Sequence, residues 1–163
     1  MLRKNPESKR EAIKGEIAPG IFAIVASRYN AEYVDAMVRA ARTELAKAGV
    51  KRVPVVRVPG AYEIPLAAKR LARTVPGLDA ILCLGVVLRG QTVHAALIGD
   101  AVSRALMEIQ LAYEIPVVHE VLLLENPEQA RARCLDPDHN RGAEAAQTAV
   151  AMSRVLKSLQ SPE

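Results

Sequence analysis

Two unbroken apolar runs, Ile21-Phe22-Ala23-Ile24-Val25-Ala26 and Ala80-Ile81-Leu82-Cys83-Leu84, constrain the fold of this chain more than any other feature. A strand with one wet face alternates apolar and polar residues. A run without alternation is covered on both faces, as are the central strands of a parallel sheet. Parallel neighbours need crossover connections, usually helical, and the segments between the apolar runs have that character.

After the first run, Val34, Val38, Ala41, Leu45 and Ala48 recur at helical spacing, with Asn30 as the predicted N-cap and Gly49 as the stop. A second strand is predicted over Val53 to Val58, turning at Pro59-Gly60 into a helix over about 61–73. The third strand, Asp79 to Val87, leads through Arg89-Gly90-Gln91-Thr92 into a long helix ending near Tyr113. A fourth strand, Pro116 to about Leu123, precedes a short helix opened by Asn126-Pro127, where proline suits the first helical position. A polar turn over Leu135 to Asn140 then leads to a last helix, about 142–159, with Ala145, Ala149, Met152, Leu156 and Leu159 expected on its buried face. The expected architecture is a parallel sheet with helices on both sides.

The long third helix carries Ile98, Val102, Ala105, Ile109 and Tyr113 in one stripe, and Leu97, Ala101 and Leu106 broaden it. So wide an apolar surface on a chain of 163 residues calls for a cover besides its own sheet, and a subunit partner is the simplest.

The length suits one domain. Residues 1–20 hold five Lys or Arg against three Glu, with Pro6 and Pro19, and are expected to form a flexible N-terminal arm ahead of a folded unit over 21–163. The net charge of +4 is not gathered into an aromatic-interleaved basic stripe, so no nucleic-acid partner is expected. Cys83 and Cys134 form no CxxC pair, no stretch reaches the length of a membrane span, and the polar start lacks the apolar centre of a signal peptide. The expectation is a cytosolic protein with no disulfide framework and no membrane partner.

Ligands of open α/β sheets bind beyond the carboxyl ends of the strands. There lie Tyr29 after the first strand, Ala61-Tyr62-Glu63 after the second, and Arg89-Gly90-Gln91-Thr92-Val93-His94 after the third; His119-Glu120 is expected near the end of the fourth. Free N–H groups and the Thr92 hydroxyl at the start of the long helix suit an anion. No dinucleotide or Walker glycine signature accompanies them. His94 serves either as a general acid or base or as a surface or capping residue. Glu63 either binds a polyol or favours its helix terminus, and Arg133 pairs either with phosphate or with a carboxylate such as Glu128. In a chain with only 3% aromatic residues, Tyr29 and Tyr62 either stack on a ring or fill core space.

Val58-Pro59-Gly60-Ala61-Tyr62-Glu63-Ile64-Pro65-Leu66, Leu88-Arg89-Gly90-Gln91-Thr92-Val93-His94, Glu128-Gln129-Ala130 with Arg133, and Asn140-Arg141-Gly142 with Glu144-Ala145-Ala146 stand in the order and spacing of one family. Over nearly the whole chain after about residue 20 the sequence resembles lumazine synthase. The resemblance implies a flavodoxin-like three-layer α/β/α sandwich with a four-stranded parallel sheet. It also implies homopentamers or multiples of them, with active sites between neighbouring subunits. The implied substrates are 5-amino-6-(D-ribitylamino)uracil and 3,4-dihydroxy-2-butanone 4-phosphate, condensed to 6,7-dimethyl-8-ribityllumazine, phosphate and water without metal or organic cofactor. By carry-over, Tyr29 stacks on the pyrimidine with Tyr62 nearby, Ala61 and Glu63 hold the ribityl chain, and Val87 and Leu88 offer backbone to the ring. Gln91, Thr92 and Arg133 bind phosphate, and His94 moves protons. Arg141 stands where the family usually has a lysine contacting the pyrimidine, and riboflavin synthase is a candidate partner.

The fourth strand departs from the family. His119, Glu120, Leu123 and Leu124 stand where phenylalanine-glycine and two threonines are usual, so His119 is expected to replace a ring wall beside the butanone and to add a second proton carrier. A non-catalytic or altered-specificity lumazine-binding, flavin-binding or shell-forming relative is the alternative, and a flavodoxin-like nucleotide module is a third reading. The short Leu135 to Asn140 turn permits pentamer, decamer or sixty-subunit shell alike.

Overall fold

In a computed structural model, which describes residues 20–159, the two apolar runs become central strands of a four-stranded, wholly parallel sheet. The order along the chain is β1 (Ile21–Ser27), α1 (Ala31–Lys47), β2 (Val55–Val58), a 3-10 turn (Ala61–Glu63), α2 (Ile64–Thr74), β3 (Leu78–Leu88), α3 (His94–Tyr113), β4 (Val117–Leu124), α4 (Pro127–Cys134) and α5 (Arg141–Leu159). The arm expected over residues 1–20 lies outside the described residues but for Gly20.

Across the sheet the order is β2-β1-β3-β4. Strand residues alternate between two cores. Phe22, Ile24, Ala26, Leu82 and Leu84 pack with α1, α4 and α5, while Ala23, Val25, Ile81 and Cys83 pack with α2 and α3. Each fully buried Leu, Ile or Phe contributes about 1.5–3 kcal/mol relative to exposure. This is a three-layer α/β/α sandwich of flavodoxin-like form. Because the connection from β1 runs one way to β2 and the return from β2 runs to β3, the chain changes direction between β1 and β3. A crevice opens at such a switch point.

Several local expectations are corrected. Asn30 sits at the N-cap position but in the left-handed region (φ 56°), and its side chain caps nothing. Its Nδ2 instead donates to the Val86 carbonyl at 2.7 Å, tying the turn after β1 to the end of β3. The helix expected from about residue 61 begins as the 3-10 turn, and Glu63 Oε2 accepts the Gly60 N–H at 2.9 Å. β4 runs to Leu124 because β3 extends to Leu88 and pairs with it there, so His119 and Glu120 lie opposite Cys83 and Leu84 in mid-strand rather than near its end. On α5 the buried face is Gly142, Ala145, Ala146, Ala149, Val150 and Ser153, while Met152 and Leu159 are exposed. Small residues lie inward there because α5 packs closely on α1; at Gly142 an added Cβ would collide with the backbone of Met37.

Asn126 does cap α4, its Oδ1 accepting from Gln129 N at 2.9 Å. In the turn before α5, Asn140 Oδ1 accepts from Gly142 N at 2.8 Å and Ala143 N at 3.3 Å, and its Nδ2 donates to the Cys134 carbonyl. Both cysteines are buried and free, and burial pushes the Cys134 thiol up to about 11.

Candidate functional site

The turns that follow β1, β2 and β3 meet at the switch point around a cleft of about 1090 Å³. Tyr29 and Asn30 come from the first turn, and Gly60, Ala61, Tyr62 and Glu63 from the second. Val86, Val87 and Leu88 at the end of β3, Gly90 and Thr92 in the turn after it, and His94, Ala95, Leu97, Ile98 and Ala101 on α3 complete the wall. Register explains the convergence: Ser27 and Val58 are paired at the same level of β1 and β2, so both turns leave the sheet together.

Exposure decides between the two readings of the tyrosines. Tyr29 is 75% exposed and Tyr62 65%, so neither fills the core, and two of the four tyrosines in this aromatic-poor chain stand at one cleft. Flat amphipathic rings at the mouth of a concave site suit stacking on a planar ligand.

Glu63 spends one carboxylate oxygen on the Gly60 N–H and makes no other hydrogen bond among the described residues, leaving acceptor capacity beside the cleft. Thr92 Oγ1 accepts from His94 N at 3.3 Å, closing a small turn at the start of α3. The N–H groups of a first helical turn have no intrahelical partners, so this end of α3 suits an anion. The His94 ring is exposed and makes no side-chain hydrogen bond among the described residues, so its nitrogens are open to a reacting group. Arg89 points its charge elsewhere, into an exposed pair with Glu125 at 2.8 Å.

Of the residues singled out in the sequence, the cleft thus gathers Tyr29, Ala61, Tyr62, Glu63, Val87, Leu88, Thr92 and His94. Gln91 is exposed in the same turn but is not among the lining residues. His119, Arg133 and Arg141 do not line the cleft of their own chain. Asn30, Gly60, Leu97, Ile98 and Ala101 do line it and were not singled out as site residues. Gly60 lies inside a named motif, Leu97 lies on the apolar surface of α3, and Asn30 directly follows Tyr29 in the turn after β1.

His119 faces α3. Its Nε2 lies 2.8 Å from Ser103 Oγ, and Val121 N donates to its Nδ1 at 3.1 Å. Ser103 spends its proton on the Gly99 carbonyl at 2.7 Å, so Nε2 carries the hydrogen and donates to the hydroxyl. Burial pushes the His119 pKa below its ordinary 6.5, favouring this neutral form. On the opposite face of β4, Arg141 Nε donates to Glu120 Oε2 at 3.1 Å and Nη1 to Glu144 Oε2 at 2.7 Å. Arg133, half-exposed on α4, forms no ion pair among the described residues, with Glu128 or any other carboxylate. Among the described residues no group of three His, Cys, Asp or Glu is arranged to hold a metal, and no helix is long and apolar enough to cross a membrane.

Residues 21–157 match the family model described as 6,7-dimethyl-8-ribityllumazine synthase. A protein of that name from Stenotrophomonas maltophilia (strain R551-3) is 43% identical over 140 residues, covering 85% of this chain and 90% of its own length. A protein of the same name from Xanthomonas euvesicatoria pv. vesicatoria (strain 85-10) is 39% identical over 150 residues, covering 90% of this chain and 97% of its own.

Proposed function

The chain belongs to the 6,7-dimethyl-8-ribityllumazine synthase family, and we propose that it carries out that condensation in the cleft between β1 and β3, completed by a second copy of itself. The observation that carries the reading is the meeting of Tyr29, Ala61, Glu63, Val87, Leu88, Thr92 and His94, from the carboxyl end of β3, the turns after three strands and the start of α3, in one concavity.

The reaction needs two reactants held together and a proton moved several times. The 5-amino group of the ribitylamino-uracil adds to the ketone of the four-carbon sugar phosphate and loses water to give an imine. Phosphate is then eliminated, and the ribitylamino nitrogen closes the second ring with loss of another water. Holding both partners supplies much of the acceleration, and a placed acid or base adds about 10²–10⁴-fold. Tyr29 stacks on the pyrimidine with Tyr62 at the rim, Ala61 and Glu63 hold the ribityl chain, and the Val87 and Leu88 backbone meets the ring. Thr92, Gln91 and the amide end of α3 hold the phosphate. His94 relays protons.

Arg133, Arg141 and His119 are read as the contribution of the neighbouring copy. The exposed apolar residues of α3 support this: Leu97, Met107 and Leu111 are all more than half exposed and would be covered by a neighbour. A cytosolic homopentamer, or a multiple of it, is the form proposed, with riboflavin synthase as the partner that would consume the product.

Incubation with both substrates tests the chemistry, the product being read by its fluorescence. His94→Ala lowers kcat by about 10²–10³-fold, and Arg133→Ala raises KM for the sugar phosphate. Co-refolding the two variants tests the shared site. With His94 and Arg133 supplied by different copies, roughly a quarter of sites in an equal mixture regain both groups. No recovery over the separate variants would reject the shared site, and no product from the unmodified protein would reject the function.

A further inference from the structure

A carboxylate buried in an edge strand calls for a reason, because burial works against its charge. Glu120 is only 8% exposed, on the face of β4 that also presents Val118 and Leu124 to the core. An apolar side chain there would continue that stripe. Burial raises the Glu120 pKa, the attraction and hydrogen bond of Arg141 oppose the rise, the charge of Glu144 adds to it and Arg133 weakly lowers it. The carboxylate is therefore buried at a cost, which its ion pair with Arg141 at the start of α5 opposes.

What Glu120 does hold is Arg141. The guanidinium gives Nε to Glu120 and Nη1 to Glu144, while Nη2 makes no hydrogen bond among the described residues. We propose that Glu120 is a positioning residue for the condensation, acting through Arg141 so that the third guanidinium nitrogen is offered in a set direction to a carbonyl oxygen of the pyrimidinedione. This rests on the functional reading above, with Arg141 of one copy serving the cleft of its neighbour. The charges divide the labour as well. Two carboxylates offset Arg141 and leave it a directional donor for a neutral ring, whereas Arg133, in no ion pair among the described residues and only weakly attracted by Glu120, keeps most of its attraction for a phosphate.

Glu120→Gln keeps the shape and an acceptor oxygen but removes the charge. With purified full-length protein, KM for each substrate, kcat and the thermal midpoint at about pH 8 are measured for the wild type, Glu120→Gln, Arg141→Ala and the double variant. The expected result for Glu120→Gln is a pyrimidine KM raised about tenfold, a sugar-phosphate KM unchanged or lower, and a midpoint unchanged or higher. In the Arg141→Ala background the same change is expected to add nothing. A pyrimidine KM equal to that of the wild type, a rise that persists without Arg141, or a joint rise of both KM values with a falling midpoint would overturn the positioning role. Absence of product from the wild type would instead overturn the functional reading, and the role of Glu120 with it.

Discussion

Replacing Gly142 with alanine tests the packing of α5 on α1 and, through it, the placement of Arg141 next door. A Cβ built at Gly142 lies 2.6 Å from both the carbonyl carbon and the Cα of Met37, and closer still to the carbonyl oxygen. Cβ contacts under 3.0 Å are essentially never found, and the obstacle here is backbone, which cannot swing aside as a side-chain tip can. Helix α5 must retreat from α1 by roughly 1 Å, a gap that forfeits about a quarter to a half of the dispersion energy at each affected contact. Ala145, Ala146, Ala149 and Val150, each at most 2% exposed, are the residues that lose those contacts. Overpacking of this kind costs about 1–3 kcal/mol and occasionally more, while exchanging glycine for alanine in a helix returns up to about 1 kcal/mol. The expected net loss is about 1–2 kcal/mol, or a fall of about 2–8 °C in Tm. Thermal and urea denaturation at fixed protein concentration measure it. Gly90→Ala is the control: an added Cβ meets nothing within 4 Å there, and the change should stay within about 0.5 kcal/mol of the wild type. A Gly142→Ala protein as stable as the wild type would refute the reasoning.

Three further outcomes are expected. The folded-state pKa of His119 lies below the unfolded value near 6.5, so the unfolded chain takes up the proton first as pH falls. The stabilisation is complete above that value and is lost as pH drops through the folded pKa, so the urea midpoint should fall as pH drops below about 6.5 and fall less in His119→Phe. Asn126→Ala removes the cap of α4 and should cost about 1 kcal/mol in urea denaturation, with a modest rise in sugar-phosphate KM because that helix carries Arg133. Asn30→Gly keeps the left-handed backbone while cutting the bond to Val86; a loss of about 1 kcal/mol is expected, and Asn30→Ala, which adds backbone strain, should cost more in the same denaturation series.

Much of the fold was legible because its signals are local. Unalternating strands at β1 and β3, a helical repeat through α1, the Asn126-Pro127 opening of α4 and the glycine ending α1 each depend on residues a few positions apart. The motif turns that meet at the cleft were legible for a related reason: once strands and helices alternate, every such turn emerges on the same edge of the sheet.

What the sequence by itself determined is therefore the kind of sheet, the alternation of elements and the turns that line the cleft. Only the tertiary structure decided which partners side chains take across distance: Asn30 reaches Val86, 56 residues away, and Arg141 reaches Glu120. It also decided how far β4 runs and which face of alanine-rich α5 is buried, since pairing with β3 sets the one and contact with Met37 the other. Periodicity is a property of one segment, whereas a hydrogen bond, a strand end or a helix contact is set jointly by two, and their juxtaposition exists only after the chain has folded.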